Sequence, residues 1–239
     1  MTQPVPPAPA APPAVNRRAK VNPEANRQDI LRVATEEFAL HGLSGARVDE
    51  IARRTDCSKR LIYYYFTDKE GLYLKVLENS YQTIRSIERD VHFDEYPPIE
   101  AMTRLVEFRF DHHMNIEYFV RLIMIENIHN AQYLAKSSVV QDVNRQAVSV
   151  IQRIYDRGQR EGLFRPGLDA LHIHWQVSAL SFFNVSNRAT FSLLFRCDMA
   201  APDTVQSLRR QAVESVLRYM QTCLLYTSPE PTRQEAISY

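Results

Sequence analysis

Apolar positions recur at three- and four-residue spacing along most of this chain. Runs of strict alternation are few, so the pattern predicts helices. "NPEANRQDILRVATEEFALHG" opens with Asn22 as N-cap and Pro23 at the first helical position. Ile30, Ala34 and Phe38 repeat every four residues and Gly42 stops the run, so a first helix is predicted over 23–41. "VDEIARRT" predicts a short second helix over 48–55, with Val48, Ile51 and Ala52 facing inward. "DCS", 56–58, reads as a tight turn, because Asp56 tolerates the left-handed conformation. Ser58 then stands as the cap of a third helix, 59–66. "TDKE" has the form of a capping box, with Thr67 as N-cap and Glu70 reaching back to it. A fourth helix follows to about residue 91. "HFDEYPP" breaks the pattern, and amphipathic helices are predicted over about 99–114, 116–130, 133–161, 169–195 and 203–225. Phe191, Leu194 and Phe195, with Val213, Val216, Leu217 and Met220, form an apolar supply near the C-terminus.

The third helix, "KRLIYYYF", carries three consecutive tyrosines, whose side chains point about 100° apart. Ile62 and Phe66 are four apart and form its buried stripe. Lys59 with Tyr63, and Arg60 with Tyr64, make two outward stripes, and Tyr65 falls beside Leu61 at the edge. Two short helices joined by a three-residue turn inside an all-α run form a helix-turn-helix. In that geometry the second helix enters the DNA major groove, where each base pair shows a distinct donor and acceptor pattern. The same pattern also suits two ordinary helices of a bundle.

Composition narrows the picture. The 239 residues are 45% hydrophobic and 24% charged, which is ordinary globular usage with length enough for a sizeable core. The net charge of +1 carries no signal for nucleic acid by itself. Residues 16–66 hold ten Lys/Arg against seven acids, an excess that matters only if it lies on one face. Residues 1–15 are rich in proline and alanine and read as an extended tail, followed by the basic arm "NRRAK". That arm is either a solubilising flank or a phosphate and minor-groove contact. The N-terminal stretch lacks a charged region followed by an apolar one, so no signal peptide is expected, and no run approaches a membrane span. Cys57, Cys197 and Cys223 show no C-x-x-C spacing and read as reduced thiols of a cytoplasmic protein. No Ser-His-Asp, G-x-S-x-G, P-loop or zincin pattern appears, so neither an enzyme, a cofactor nor a metal is expected. His112-His113 and His172-x-His174 lack the i, i+4 spacing with which helical ligand pairs chelate.

"ILRVATEEFALHGLSGARVDEIARRTDCSKRLIYYYFTDKEGLYLKVLE" resembles the N-terminal domain of TetR/AcrR-family transcriptional regulators. The resemblance rests on Ile30, Ala34, Phe38, Gly42, Val48, Ile51, Ala52, Ser58, Ile62, Tyr63, Tyr65, Phe66, Lys69, Glu70 and Leu72. It implies an all-α chain: a three-helix DNA-binding domain at 22–67, then an effector-binding and dimerisation bundle at 68–226. Tails are expected at 1–21 and 227–239. "REGLFRPGLDALHIHWQVSAL" is similar, more weakly, to the stretch that leads into the family's dimer-forming helices. The partners implied are double-stranded DNA bearing a near-palindromic operator, a second copy of the chain and a small-molecule effector. No membrane is implied. The expected DNA contacts are Arg47, Lys59, Arg60, Leu61, Tyr63, Tyr64, Tyr65 and Lys69. Of these, Tyr65 and Lys69 match family slots that approach phosphate; Tyr65 also suits core packing with its hydroxyl at the rim.

The sequence departs from the family at three places. Asp56 stands where glycine is usual. Cys57 follows it, suited to a small buried hydrophobe and, beside Lys59, to a redox sensor. Ala46 and Arg47 replace the Ser or Thr that commonly opens the second helix, and Leu61 replaces a small or polar residue.

For the effector, polar and aromatic groups on apolar helices are the candidates: Arg109, His113, Glu126, Asn127, Trp175, Phe182 and Asn187. Trp175 and Phe182 are seven apart, hence on one helix face, where they stack on a ligand or fill core. The function implied is a sequence-specific DNA-binding regulator, a repressor released by its effector. An effector-independent or activating regulator would carry the same N-terminal domain.

Overall fold

The computed structural model describes residues 22–222. The Pro/Ala-rich tail, the basic arm, Cys223 and the 227–239 tail lie outside the described residues. Among those described are ten α-helices: α1 (Pro23–Gly45), α2 (Val48–Arg54), α3 (Lys59–Phe66), α4 (Lys69–Arg89), α5 (Pro98–Asn115), α6 (Glu117–Ile128), α7 (Ser138–Arg160), α8 (Ala170–Ser186), α9 (Arg188–Phe195) and α10 (Pro202–Met220). The β-pairing found among them is an isolated bridge between Phe164 and Gln221, at the end of α10.

The first three helices form as the pattern predicts. The Asn22 side chain accepts the Glu24 and Ala25 amides at 3.2 and 3.4 Å. Gly42 has φ 65°, which kinks the chain so that only one further turn follows. Asp56 takes φ 50° in the turn, and Ser58 Oγ accepts the Leu61 amide at 3.1 Å. The start of α4 differs from the capping box. Thr67 has φ 68° and its amide closes α3 onto the Tyr63 carbonyl, whereas an N-cap is extended. Asp68 is the cap instead, accepting the Gly71 amide at 2.7 Å, and Glu70 reaches Lys136 at 3.3 Å. The reversal is tight: a Cβ at Gly71 would lie 2.3 Å from the Phe66 carbonyl oxygen, so the chain needs glycine there.

Two other expectations change. The helix predicted over 133–161 starts at Ser138, because Ser137 caps it and also donates to Glu78 at 2.8 Å. The helix predicted over 169–195 breaks at Asn187, which ends α8 and starts α9, its carbonyl accepting the Phe191 amide at 2.9 Å. Phe195 and Leu194 consequently stay 64% and 73% exposed rather than entering a core.

Two hydrophobic cores result. The first joins Ile30, Ala34 and Phe38 of α1, Ile51 of α2 and Ile62 and Phe66 of α3. It also draws in Leu72, Tyr73, Val76 and Leu77 of α4 and Leu122 of α6. Cys57 packs half-buried against it. The second core is built by α5, α7, α8 and α10 around Leu105, Phe110, Ile151, Ile173 and Val216. Each fully buried side chain of this kind is worth about 1.5–3 kcal/mol, so α4 and α6 are firmly tied to the first core.

Candidate nucleic-acid interface and ligand cavity

On α3 the three tyrosines separate as their azimuths require. Ile62 and Phe66 are buried, Tyr64 is 81% exposed and Tyr63 40% exposed. Tyr65 is half-buried against the first core, its ring edge-on to Tyr64 and Phe66 at 5.6 and 6.1 Å. Leu61 is also half-buried, and Lys59 and Arg60 are exposed. Lys59 Nζ lies 2.5 Å from Asp49 Oδ1 of α2. Among the described residues no carboxylate is within ion-pair distance of Arg60 or Arg47. Arg47 is exposed at the start of α2, where its backbone amide donates to the buried Glu37 at 2.9 Å. Lys69 Nζ donates to the Ser44 carbonyl at 3.2 Å, which places it between the end of α1 and the start of α4. Most other cations of this domain are consumed in ion pairs: Arg32 with Asp29, Arg53 with Glu50, Arg54 with Glu36. Arg17, Arg18 and Lys20, which make the basic excess of 16–66, lie outside the described residues; within them the cations without a carboxylate partner, Arg47 and Arg60, stand at the start of α2 and on α3.

A cavity of about 320 Å³ lies between α4, α5, α6, α7 and α8. Tyr81 and Ile84 (α4), Phe108 (α5), Phe119 and Ile123 (α6) and Phe182 (α8) make its apolar wall. Its polar groups are Arg85, Arg109, His112, His113, Asn144, His174 and Ser178. Behind them sits Glu88, 3% exposed. Arg109 donates from Nε and Nη2 to Glu88 Oε1 at 3.0 and 2.6 Å, and Arg85 pairs with Glu88 Oε2. Burial alone would raise the Glu88 carboxyl, but Arg109 and Arg85 outweigh it and hold it below the usual carboxylate range. Arg109 Nη1 also meets His174 Nδ1 at 2.5 Å. Burial, then the charge of Arg109, pushes His174 down to about 3, so its ring is a neutral acceptor at neutral pH. Burial and then His112 push His113 down to about 4, and it shares a 3.0 Å hydrogen bond with Ser181.

Of the seven candidate effector residues, Arg109, His113 and Phe182 line this cavity. The other four do not. Glu126 is 1% exposed but faces the first core, accepting from the Tyr73 hydroxyl at 2.9 Å and the Leu134 amide at 3.1 Å. Asn127, one residue on, is exposed. Asn187 stands between α8 and α9, where its side chain makes no capping bond and donates to Ser186 at 2.8 Å. Trp175 is 70% exposed. It shares an azimuth with Phe182, but His113 of α5 covers Phe182 edge-on at 5.8 Å, whereas that stretch of α8 faces outward at Trp175. Sequence reading missed Arg85, Tyr81 and Asn144, and weighed His112 and His174 only as metal ligands. A signal existed for Arg85: with Tyr81, Ile84 and Glu88 it sits at three- and four-residue spacing on the inner side of α4. Among the described residues no group of three or more His, Cys, Asp or Glu comes together as a metal set. A larger groove of about 750 Å³ opens between the end of α1, α6 and α9 and is broadly open to solvent.

Large apolar side chains also stand exposed on α8 and α9. Leu171 and Trp175 of α8 and Leu193, Leu194 and Phe195 of α9 are each more than half exposed. No helix among the described residues is long and apolar enough to cross a membrane.

Comparison with known proteins agrees with this architecture. Residues 30–76 match the family model described as bacterial regulatory proteins, tetR family. Residues 98–216 match the tetracyclin repressor-like C-terminal domain. The HTH-type transcriptional repressor NicS of Pseudomonas putida is 32% identical over 177 residues, covering 74% of this chain and 84% of NicS. The crystal structure of the putative transcriptional regulator SCO4942 from Streptomyces coelicolor superposes with a TM-score of 0.60 at 26% identity, over 82% of this chain and 98% of that one. The regulator FadR from Bacillus subtilis, solved in complex with stearoyl-CoA, shares the fold with a TM-score of 0.58 at 17% identity, over 81% and 98% of the two chains. With both halves matched and the recognition helix exposed as its pattern demands, the chain belongs to the tetR family of bacterial regulatory proteins, DNA-binding regulators of transcription.

Proposed function

We propose that the protein is a cytoplasmic repressor that grips its operator as a homodimer through α2 and α3 and lets go when a small molecule enters the cavity between α4 and α8. One observation carries the reading. Two helices, α4 and α6, both line the cavity and help build the DNA-binding core. Tyr81, Ile84 and Arg85 of α4 face the cavity, while Leu72, Tyr73, Val76 and Leu77 of α4 lie in the first core. Phe119 and Ile123 of α6 face the cavity, while Leu122 enters that core and Arg121 Nε donates to the Ala39 carbonyl of α1 at 3.0 Å. Packed helices move as rods, so a ligand that resets the spacing of α4 and α6 also resets the attitude of α3. It releases DNA only by the margin with which it prefers the non-binding arrangement.

The repressor sign is supported by NicS, which is named a repressor. The effector is supported by the cavity between five helices and by FadR, a protein of this fold solved with stearoyl-CoA. The exposed apolar side chains of α8 and α9 support the dimer. Two recognition helices in a two-fold dimer read half-sites about one helical turn apart, or a little more. Arg60, free of a carboxylate partner, and Lys59 read bases. Tyr63 and Tyr64 flank them, and Lys69 with Tyr65 holds backbone.

Selection of bound duplexes from a random pool tests this. A near-palindrome is expected, with Arg60→Ala losing about 1–3 kcal/mol at one base position and Lys69→Ala weakening all duplexes alike. Trp175→Arg should shift the chain to monomer in sedimentation and weaken operator binding with it. A protein that binds duplexes with no salt dependence, or none at all, would end the reading.

A further inference from the structure

The cavity carries an unbalanced charge. Two guanidiniums, Arg85 and Arg109, converge on one carboxylate, Glu88, and no acidic residue lines the cavity itself. Burial lowers the Arg109 guanidinium and Glu88 opposes that, but an arginine keeps its proton under any physiological condition. The three imidazoles add no compensating charge: burial lowers His112, His113 and His174 alike. Burial likewise pushes the Tyr81 phenol up to about 12, so it stays neutral. The cluster thus carries one net positive charge at the cavity, with Arg109 and Glu88 buried and Arg85 half-buried, and an anion entering the cavity would balance it.

The hydrogen bonds point to the place where that anion belongs. Arg85 Nη1 is spent on Glu88, and Arg85 Nη2 donates to the neutral Asn144 Oδ1 at 3.2 Å. Arg85 Nε is buried without a partner, and so is His112 Nε2. Both residues line the cavity. His112 is held in place by stacking on Phe108, with centroids 5.6 Å apart and rings 14° from parallel. The Nε–Nη2 edge of a guanidinium is the fork that receives two carboxylate oxygens. Beyond it the wall is aromatic and aliphatic, and about 320 Å³ is the small end of ligand sites.

We propose that the effector is a compact organic monoanion, a carboxylate on a flat apolar body, with its carboxylate received by Arg85 and His112 and its body held among Tyr81, Phe119, Ile123 and Phe182. The single net charge favours a carboxylate over a dianionic phosphate ester, and about 320 Å³ suits a compact body. The assignment rests on the cavity being the effector site of the repressor described above.

The test is thermal unfolding of the full chain with matched pairs, benzoate against benzamide and 1-naphthoate against 1-naphthamide, with phenyl phosphate as a further arm. At least one carboxylate should raise the melting temperature, since a ligand of the native state stabilises it, and its amide should not. Arg85→Gln should weaken that carboxylate about tenfold or more. His112→Phe keeps the stack on Phe108 and leaves the ion pairs alone, so it answers if Arg85→Gln fails to fold; it too should weaken binding. Amides that bind as well as carboxylates, no stabilisation by either carboxylate, an equal or larger effect of phenyl phosphate, or unchanged affinity in His112→Phe each overturn the proposal. Duplex binding without ligand is measured in parallel. Its loss would end the repressor reading, whereas a failure of the carboxylates alone leaves that reading standing and removes only the anion.

Discussion

Replacing Tyr73 with phenylalanine removes one oxygen atom from the junction between the DNA-binding core and α6. Tyr73 is fully buried, and its hydroxyl donates to Glu126 Oε1 at 2.9 Å. Glu126 is 1% exposed, and its other oxygen accepts the Leu134 amide at 3.1 Å. Burial, then the Glu126 hydrogen bond, raises the Tyr73 phenol far above its ordinary range, so it remains the donor at any working pH. The ring contacts survive the change: Phe38 and Tyr133 lie edge-on at 5.1 and 5.4 Å and touch the ring, which phenylalanine keeps. What is lost is a hydrogen bond to a buried carboxyl group, leaving Oε1 without that donor. Such bonds are worth about 1.5–3 kcal/mol when the acceptor is charged, and the stranded oxygen puts the cost inside that range. Urea unfolding should show the midpoint falling with the slope unchanged. A double-mutant cycle with Glu126→Gln should return a coupling of about 1 kcal/mol or more, because the two side chains are in direct contact. A loss below about 0.5 kcal/mol, the scale of an ordinary surface substitution, would refute the claim that this bond ties α4 to α6.

Three further outcomes follow from the geometry. Asp49→Asn should leave stability within about 0.5 kcal/mol, since the Asp49–Lys59 pair is largely exposed. It should tighten duplex binding and steepen the salt dependence by about one unit, measured by titration at several salt concentrations; weaker binding would show that the carboxylate orients Lys59 for DNA. Gly71→Ala forces a Cβ against the Phe66 carbonyl and should cost about 1–3 kcal/mol in urea unfolding together with operator affinity. A wild-type result would mean the turn has slack. Stability should fall as pH drops from about 6.5 toward about 4, because His113 and His174 ordinarily titrate near 6.5 but are held at about 4 and about 3 when folded. The unfolded chain therefore takes up protons first across that window. The His113→Asn/His174→Gln double variant should flatten the curve, and an unaltered slope would place the acid sensitivity elsewhere.

The N-terminal third was legible because its signals are local. Asn22, Gly42, Asp56 and Ser58 act on their own neighbours within a turn, and Ile62 with Phe66 declares the buried side of α3 by spacing alone. The cap of α4 shows the limit of that logic. "TDKE" satisfies a capping box on paper, but α3 must reverse into α4 with Phe66 in the core. That reversal takes Thr67 to positive φ and hands the cap to Asp68. The break at Asn187 was not legible in this way: its side chain makes no capping bond to α9 and donates to Ser186 instead.

The sequence by itself determined the class of protein, the order of nine helices in outline, the eighth of which the structure splits into α8 and α9, and which side of α3 faces outward, because helical periodicity and turn chemistry depend on residues a few places apart. Tertiary structure alone decided the ligand cavity. Its wall is drawn from five helices, and the azimuth that a residue shares with its helix neighbours does not say which other helix lies over it. Trp175 and Phe182 share a face, yet one stands in solvent and the other in the cavity. Arg85 is an ordinary charged residue of α4 until Glu88, Arg109 and His112 close around it, and only then does its position acquire a chemistry.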